Sequence, residues 1–237
     1  MAMRPFLAMT ATELQKNTSI PEKIAWMACH FSPYGRGLSN LPRSLPKGSL
    51  LMIDDITPIR GHDAEVITQQ LIQCTELMEI YGILLDFQQP KCSEVIELIN
   101  YLSKALPYPL AVSDIYADDV DLPVFVSPAP PSVALQEHLS PWTGREIWLD
   151  VSYLGESLRL TESGCRSLPL TDTPDDGFSD PLLHCHYRIT QAESEVTLDL
   201  WRSKEDLWDL MEEGNALGVT NVVGLYQEFA ENENRPA

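Results

Sequence analysis

Basic residues are scarce in this chain: 16 Lys and Arg stand against 35 Asp and Glu, a formal net charge of −19. A phosphate backbone is held by clustered cations. Here the few cations form no run, so nucleic acid is excluded as a partner. An anionic membrane surface is disfavoured for the same reason, and no apolar stretch approaches the roughly 20 residues that cross a bilayer. An export signal is not visible either. The apolar patch at residues 1–9 is short, carries Arg4 in its middle and lacks a cleavage site, so a cytoplasmic setting is expected. The five cysteines (Cys29, Cys74, Cys92, Cys165 and Cys185) are odd in number and show no CxxC spacing, a pattern that fits free thiols.

Motifs for common chemistries are also missing. No GxGxxG or GxxxxGK[ST] follows a strand, and no GxSxG, HExxH or protein-kinase set occurs. The triplet His184-Cys185-His186 places its two imidazoles on one face of a strand and the thiol on the other, so it does not converge on a metal. Neither a metal nor a cofactor is expected.

What is present is a chain of 237 residues, 44% apolar and 22% charged, long enough to bury a large core. Residues 23–31 (KIAWMACHF) read as a first strand, followed by a Gly- and Pro-rich loop over 32–48. Residues 49–56 read as a second strand ending in acids. Asp63 is placed to cap a helix in which Ile67, Leu71, Cys74 and Met78 recur at helical spacing. Residues 82–88 (GILLDFQ) form a third strand and 93–105 a helix. Compact strands follow at 109–114, 123–127 and 146–151, with a short helix over 132–139. Residues 153–180 hold no period. Residues 185–189 and 196–201 read as a β-hairpin, Ser203 to Asp206 as a capping box, Gly218 as a helix stop, and 221–226 (NVVGLY) as a last strand. Alternating strands and helices with acids at strand ends predict the α/β class. The expected architecture is a compact (β/α)8 TIM barrel, one domain over 1–237, with an incomplete outer helix ring and a β-hairpin before the last helix.

Two stretches carry a resemblance. Tyr81-Gly82-Ile83-Leu84-Leu85-Asp86-Phe87-Gln88-Gln89-Pro90 resembles the DGxDxDxE strand of the family 18 glycoside hydrolases, the chitinase-like barrels, through Gly82, Asp86, Phe87 and Pro90. Residues 184–226 resemble the end of its spore-germination-type members. The resemblance implies that the motif's acid falls on Gln88, its stabilising Asp on Asp86, and its other two Asp positions on Leu84 and Tyr81. In that family the acid protonates the glycosidic oxygen while the substrate's own N-acetyl group attacks. An amide cannot act as a general acid, a loss of about 10² to 10⁴-fold in rate. The expectation is therefore an inactive barrel that binds an N-acetylglucosamine-type carbohydrate or serves as a scaffold, with no protein partner identified.

The alternative is an active glycoside hydrolase that pairs Asp86 with Asp54, Asp55, Asp114 or Asp150, acids at or near strand ends like Glu228. The aromatics Tyr34, Tyr116, Tyr153 and Tyr226 are candidates to line a glycan site beside Asp55, Asp114 and Asp150. Trp26 and Trp148 sit mid-strand and read as core. In the last strand the resemblance favours Tyr226 as the inward aromatic, whereas counting the register favours Leu225. Arg36 and the segment Arg60-Gly61-His62 are the basic groups expected near the mouth. A mouth plugged by the 32–48 loop would leave an acidic interaction protein without a pocket.

Overall fold

The structure, a computed structural model, describes residues 3–17, 20–59, 63–192 and 194–229. Its strands are β1 (Arg4–Met9), β2 (Ile24–Phe31), β3 (Leu38–Ser39), β4 (Leu50–Asp54), β5 (Gly82–Asp86), β6 (Leu110–Ser113), β7 (Val124–Val126), β8 (Ile147–Val151), β9 (Gly155–Thr161), β10 (Gly164–Pro169), β11 (Phe178–Asp180), β12 (Cys185–Gln191), β13 (Glu195–Trp201) and β14 (Asn221–Leu225). The α-helices are α1 (Ala11–Lys16), α2 (Ala64–Glu76), α3 (Ser93–Ala105), α4 (Leu135–Leu139), α5 (Lys204–Ala216) and α6 (Tyr226–Phe229).

Eight parallel strands close into a barrel in the order β1, β2, β4, β5, β6, β7, β8, β14, with β14 returning to β1. The expected (β/α)8 architecture is present, but the strand count is redistributed. Residues 4–9, read above as a short apolar patch, form the first barrel strand. Arg4 opens it at the barrel's N-terminal end, where its Nη1 donates to the Tyr81 hydroxyl at 2.8 Å, and Phe6 and Ala8 then point inward. The GILLD strand is therefore the fourth of the barrel, not the third.

The predicted hairpin is β12–β13. It belongs to a second, antiparallel sheet of order β10-β9-β13-β12-β11, inserted between β8 and α5. Arg202 ties this sheet to the barrel: its buried guanidinium donates to the carbonyls of Ala129 and Pro130, and its Nε to that of His184.

Local signals explain the helices. Asp63 accepts from the backbone N–H groups of Glu65 and Val66 at the start of α2, and Ser203 with Asp206 forms a reciprocal capping box on α5. Gly218, at φ +91°, ends that helix in the left-handed region. The outer ring is incomplete as expected: no helix stands between β2 and β4. The 32–48 loop fills that place. Its Leu41 and Leu45 pack on the core outside the strands, and Asn40 accepts from Trp26 Nε1. Leu41 and Leu45 thus hold it against the outside of the barrel wall.

The barrel interior is apolar and filled, with Phe6, Leu50, Leu84, Phe125, Trp148 and Val223 among its layers. Trp148 is fully buried, and Trp26 packs in the outer core between strands and helices. The interior is closed by side chains, and in barrels of this kind functional sites are built at the C-terminal end of the strands. No helix among the described residues is long and apolar enough to cross a membrane.

Candidate functional site at the barrel mouth

Alternation along a strand decides which residues reach the mouth. Leu50 and Met52 point inward on β4, Leu84 on β5 and Trp148 on β8. Two residues further, Asp54, Asp86 and Asp150 therefore point the same way at the C-terminal end. Asp54 and Asp86 are direct register partners, and Asp150 is the partner of Val223 on β14. Glu228 on α6 completes an acidic rim.

Gln88 stands just past β5, where the motif carries its acid. Its side-chain Nε2 donates to Asp86 Oδ1 at 2.6 Å, so the amide and the retained carboxylate form one unit. The turn that presents it is held by Asp55, whose two carboxylate oxygens accept from the backbone N–H groups of Gln88 at 2.8 Å and Gln89 at 2.9 Å.

Burial and mutual repulsion set the protonation of this rim. Burial pushes the Asp150 carboxyl up to about 7, and the nearby charges of Asp86 and Glu228 add to the rise. No hydrogen-bond donor or ion-pair partner reaches Asp150 among the described residues. Asp86 is also raised by burial, with its Gln88 hydrogen bond acting in the opposite direction and Asp54, Asp55 and Asp114 adding to the rise. Burial raises Asp54 and Glu228 as well. Near neutral pH the mouth therefore contains a carboxyl, Asp150, that exists in both protonation states and can donate as well as accept.

The other predicted site residues divide. Tyr153 is on the rim and exposed, with its hydroxyl donating to the Glu228 carbonyl and its N–H to Glu228 Oε1. Tyr226 opens α6 and is partly buried. The inward position of the last strand belongs to Leu225, which packs on the barrel interior, so register counting decides that question. Tyr34 is 98% exposed at a loop tip. Asp114 accepts from the Ser127 N–H and organises the neighbouring loop.

Two expectations are corrected. Asp55 is buried and both its oxygens are engaged by the backbone, which makes it a clamp on the Gln88 turn. Tyr116 is fully buried, edge-on to Phe87 in the outer core. The 3₁₀ turn Asp114–Asp119 that follows β6 carries it away from the mouth. Of the basic groups, Arg36 pairs with Asp63 at 3.8 Å, and residues 60–62 lie outside the described residues.

Sequence reasoning missed His30. Its Nδ1 is 3.9 Å from Asp54 Oδ2, and Asn40 Nδ2 lies 3.1 Å from its Nε2. Elsewhere, His184 and His186 face α5, pairing with Glu213 and Asp206 at 2.9 and 3.0 Å, and no group of three or more His, Cys, Asp or Glu among the described residues could hold a metal ion.

No family model matches this sequence, and no curated protein matches it. Solved structures do match its fold. A glycoside hydrolase family 18 N-acetylglucosaminidase from Paenibacillus barengoltzii aligns with TM-score 0.63 at 10% identity, over 95% of each chain. A chitinase-like agglutinin from Robinia pseudoacacia aligns with TM-score 0.61 at 12% identity, over 98% of this chain and 96% of that one. A Glu→Gln mutant of class V chitinase from Nicotiana tobaccum, in complex with NAG4, aligns with TM-score 0.61 at 8% identity and the same coverage. The fold is that of the family 18 barrels.

Proposed function

We propose that this chain is a family 18-type barrel without the family's general acid, which binds an N-acetylglucosamine-type glycan at its C-terminal mouth. One observation carries the reading: the motif's acid position is Gln88, and its amide is hydrogen-bonded to the retained Asp86 at 2.6 Å. An amide neither ionises nor delivers a proton to a leaving oxygen, yet it donates and accepts hydrogen bonds to hydroxyl groups. Leu84 removes a second carboxylate from the same strand face and leaves an apolar floor in its place.

The similar structures agree with binding that does not depend on turnover. One is named an agglutinin, and another is a Glu→Gln mutant crystallised with NAG4. Tyr153 and Tyr226 give the rim of this chain aromatic surface suited to the C–H faces of sugar rings.

A second reading, hydrolysis through relocated carboxylates, has one specific observation in its favour. Asp150 is held near neutral titration beside Asp86, as a displaced acid would be. The two readings separate when the natural chain and Gln88→Glu are assayed for binding and cleavage of N-acetylglucosamine oligomers. Binding without cleavage by the natural chain supports the first. Cleavage abolished by Asp150→Asn establishes the second. Absence of binding by both proteins removes the carbohydrate reading.

A further inference from the structure

His30 reaches the mouth only because β2 is irregular. Ala25 and Met27 point into the barrel, and Trp26 packs outside it, so strict alternation would send residues 28 and 30 outward. The pairing of β2 with β4 shifts register between Trp26 and Cys29. Beyond that bulge Cys29 and Phe31 lie in the outer core, and His30 turns inward beside Asp54, its register partner. Bulges of this kind re-aim side chains next to functional sites.

A second irregularity meets the same ring. Asn40 has φ +57°, a left-handed conformation that costs energy for a residue with a Cβ. In that conformation its side-chain nitrogen lies 3.1 Å from His30 Nε2. The Asn40 amide engages Nε2, which leaves Nδ1 as the ring nitrogen turned toward Asp54, 3.9 Å from its Oδ2 and beyond hydrogen-bond range. The remaining Asp54 oxygen, Oδ1, already accepts from the Ile56 N–H. Nδ1 and Oδ2 are thus not bonded to each other, yet lie close enough for one hydroxyl placed beside them to reach both. Such an oxygen, about 2.8 Å from each atom, accepts from a protonated Nδ1 and donates to Oδ2. A carboxylate or phosphate ligand would instead meet Asp54 and Asp86 as like charges.

We propose that His30 is a ligand-contacting residue of the mouth, and that His30 Nδ1 and Asp54 Oδ2 together grip one sugar hydroxyl. The inference rests on the glycan-binding reading above and names the pair that would give it specificity for polyhydroxylated ligands. The natural chain and His30→Gln are titrated with N-acetylglucosamine tetramer by calorimetry, and the imidazole ¹⁵N resonances of the natural chain are followed in parallel. His30 is assigned by its loss in the variant.

The expected result is about a tenfold loss of affinity in His30→Gln at unchanged Tm, with a ligand-induced shift of the His30 Nδ1 resonance. Binding of equal strength by both proteins, with an unmoved resonance, overturns the role of His30 and leaves the glycan reading intact. No binding by the natural chain overturns both. A second variant, His30→Asn, supplies the assignment and the affinity comparison if His30→Gln folds poorly.

Discussion

Gln88 and Asp86 lie two residues apart at the end of β5, and the Gln88 amide donates to the Asp86 carboxylate at 2.6 Å. In the family motif that spacing joins a proton donor to the group that stabilises the attacking N-acetyl function. Here the residue at the acid's position is an amide, which contacts Asp86 but carries no transferable proton.

Asp150 makes stability depend on pH in a defined direction. Burial raises its carboxyl from 3.8 in the unfolded chain to about 7 in the folded one. Between those values the folded state holds the extra proton, so stability is present at low pH and falls as pH rises through about 7. Asp150→Asn removes the cost of ionisation. Chemical denaturation should show the variant more stable than the natural chain by about 2 kcal/mol at pH 8 and equal to it near pH 4. Equal pH dependence in both proteins would contradict the burial of this group.

Asp55 acts on the ligand site through the backbone. Asp55→Ala leaves the N–H groups of Gln88 and Gln89 without their acceptors, an expected loss of about 1 to 3 kcal/mol. Hydrogen exchange at those two amides should rise beyond that of the surrounding strand, and glycan affinity should fall with it. Asp55→Asn, which retains one acceptor oxygen, should be intermediate. Unchanged exchange in Asp55→Ala would show that the turn stands without the clamp.

Arg202 is the anchor of the inserted sheet. Its burial pushes the guanidinium down to about 10, and its donors meet the carbonyls of Ala129, Pro130 and His184. Arg202→Met keeps the aliphatic bulk and strands these carbonyls, costing about 2 to 4 kcal/mol. Limited proteolysis should then cut first within residues 155–201, before the barrel. Cleavage that begins elsewhere would refute the anchoring role.

Gly82 shows why a glycine opens the motif strand. A Cβ at this position would stand 2.7 Å from the Pro109 carbonyl oxygen, a backbone atom immediately before the neighbouring strand β6. That oxygen also accepts from Ile83 N–H, so it cannot retreat freely. Gly82→Ala should cost about 1 to 3 kcal/mol by thermal or chemical denaturation. A neutral result would mean that β5 and β6 can separate without penalty.

The barrel was legible wherever a strand is buried on both faces, because such strands are continuous apolar runs. β4, β5, β6, β7, β8 and β14 were all read this way. β1 escaped because Arg4 and Pro5 interrupt its pattern. The inserted sheet escaped in part because β10 is exposed along its whole length and the outer half of β9 is too, which removes alternation as a signal. At the site, acids at strand ends were readable from position alone. Tyr116 was misplaced because a 3₁₀ turn follows β6, and His30 was missed because a bulge inverts the inward count. Neither irregularity has a signature in residue type.

The central claim is that the mouth binds a glycan without cleaving it. It is tested most directly by calorimetric titration of N-acetylglucosamine tetramer into the natural chain, with the recovered oligomer weighed by mass spectrometry. Saturable heat at one site per chain, with the tetramer recovered intact, is the predicted result. No heat into the millimolar range, or recovery of shortened oligomers, would contradict it.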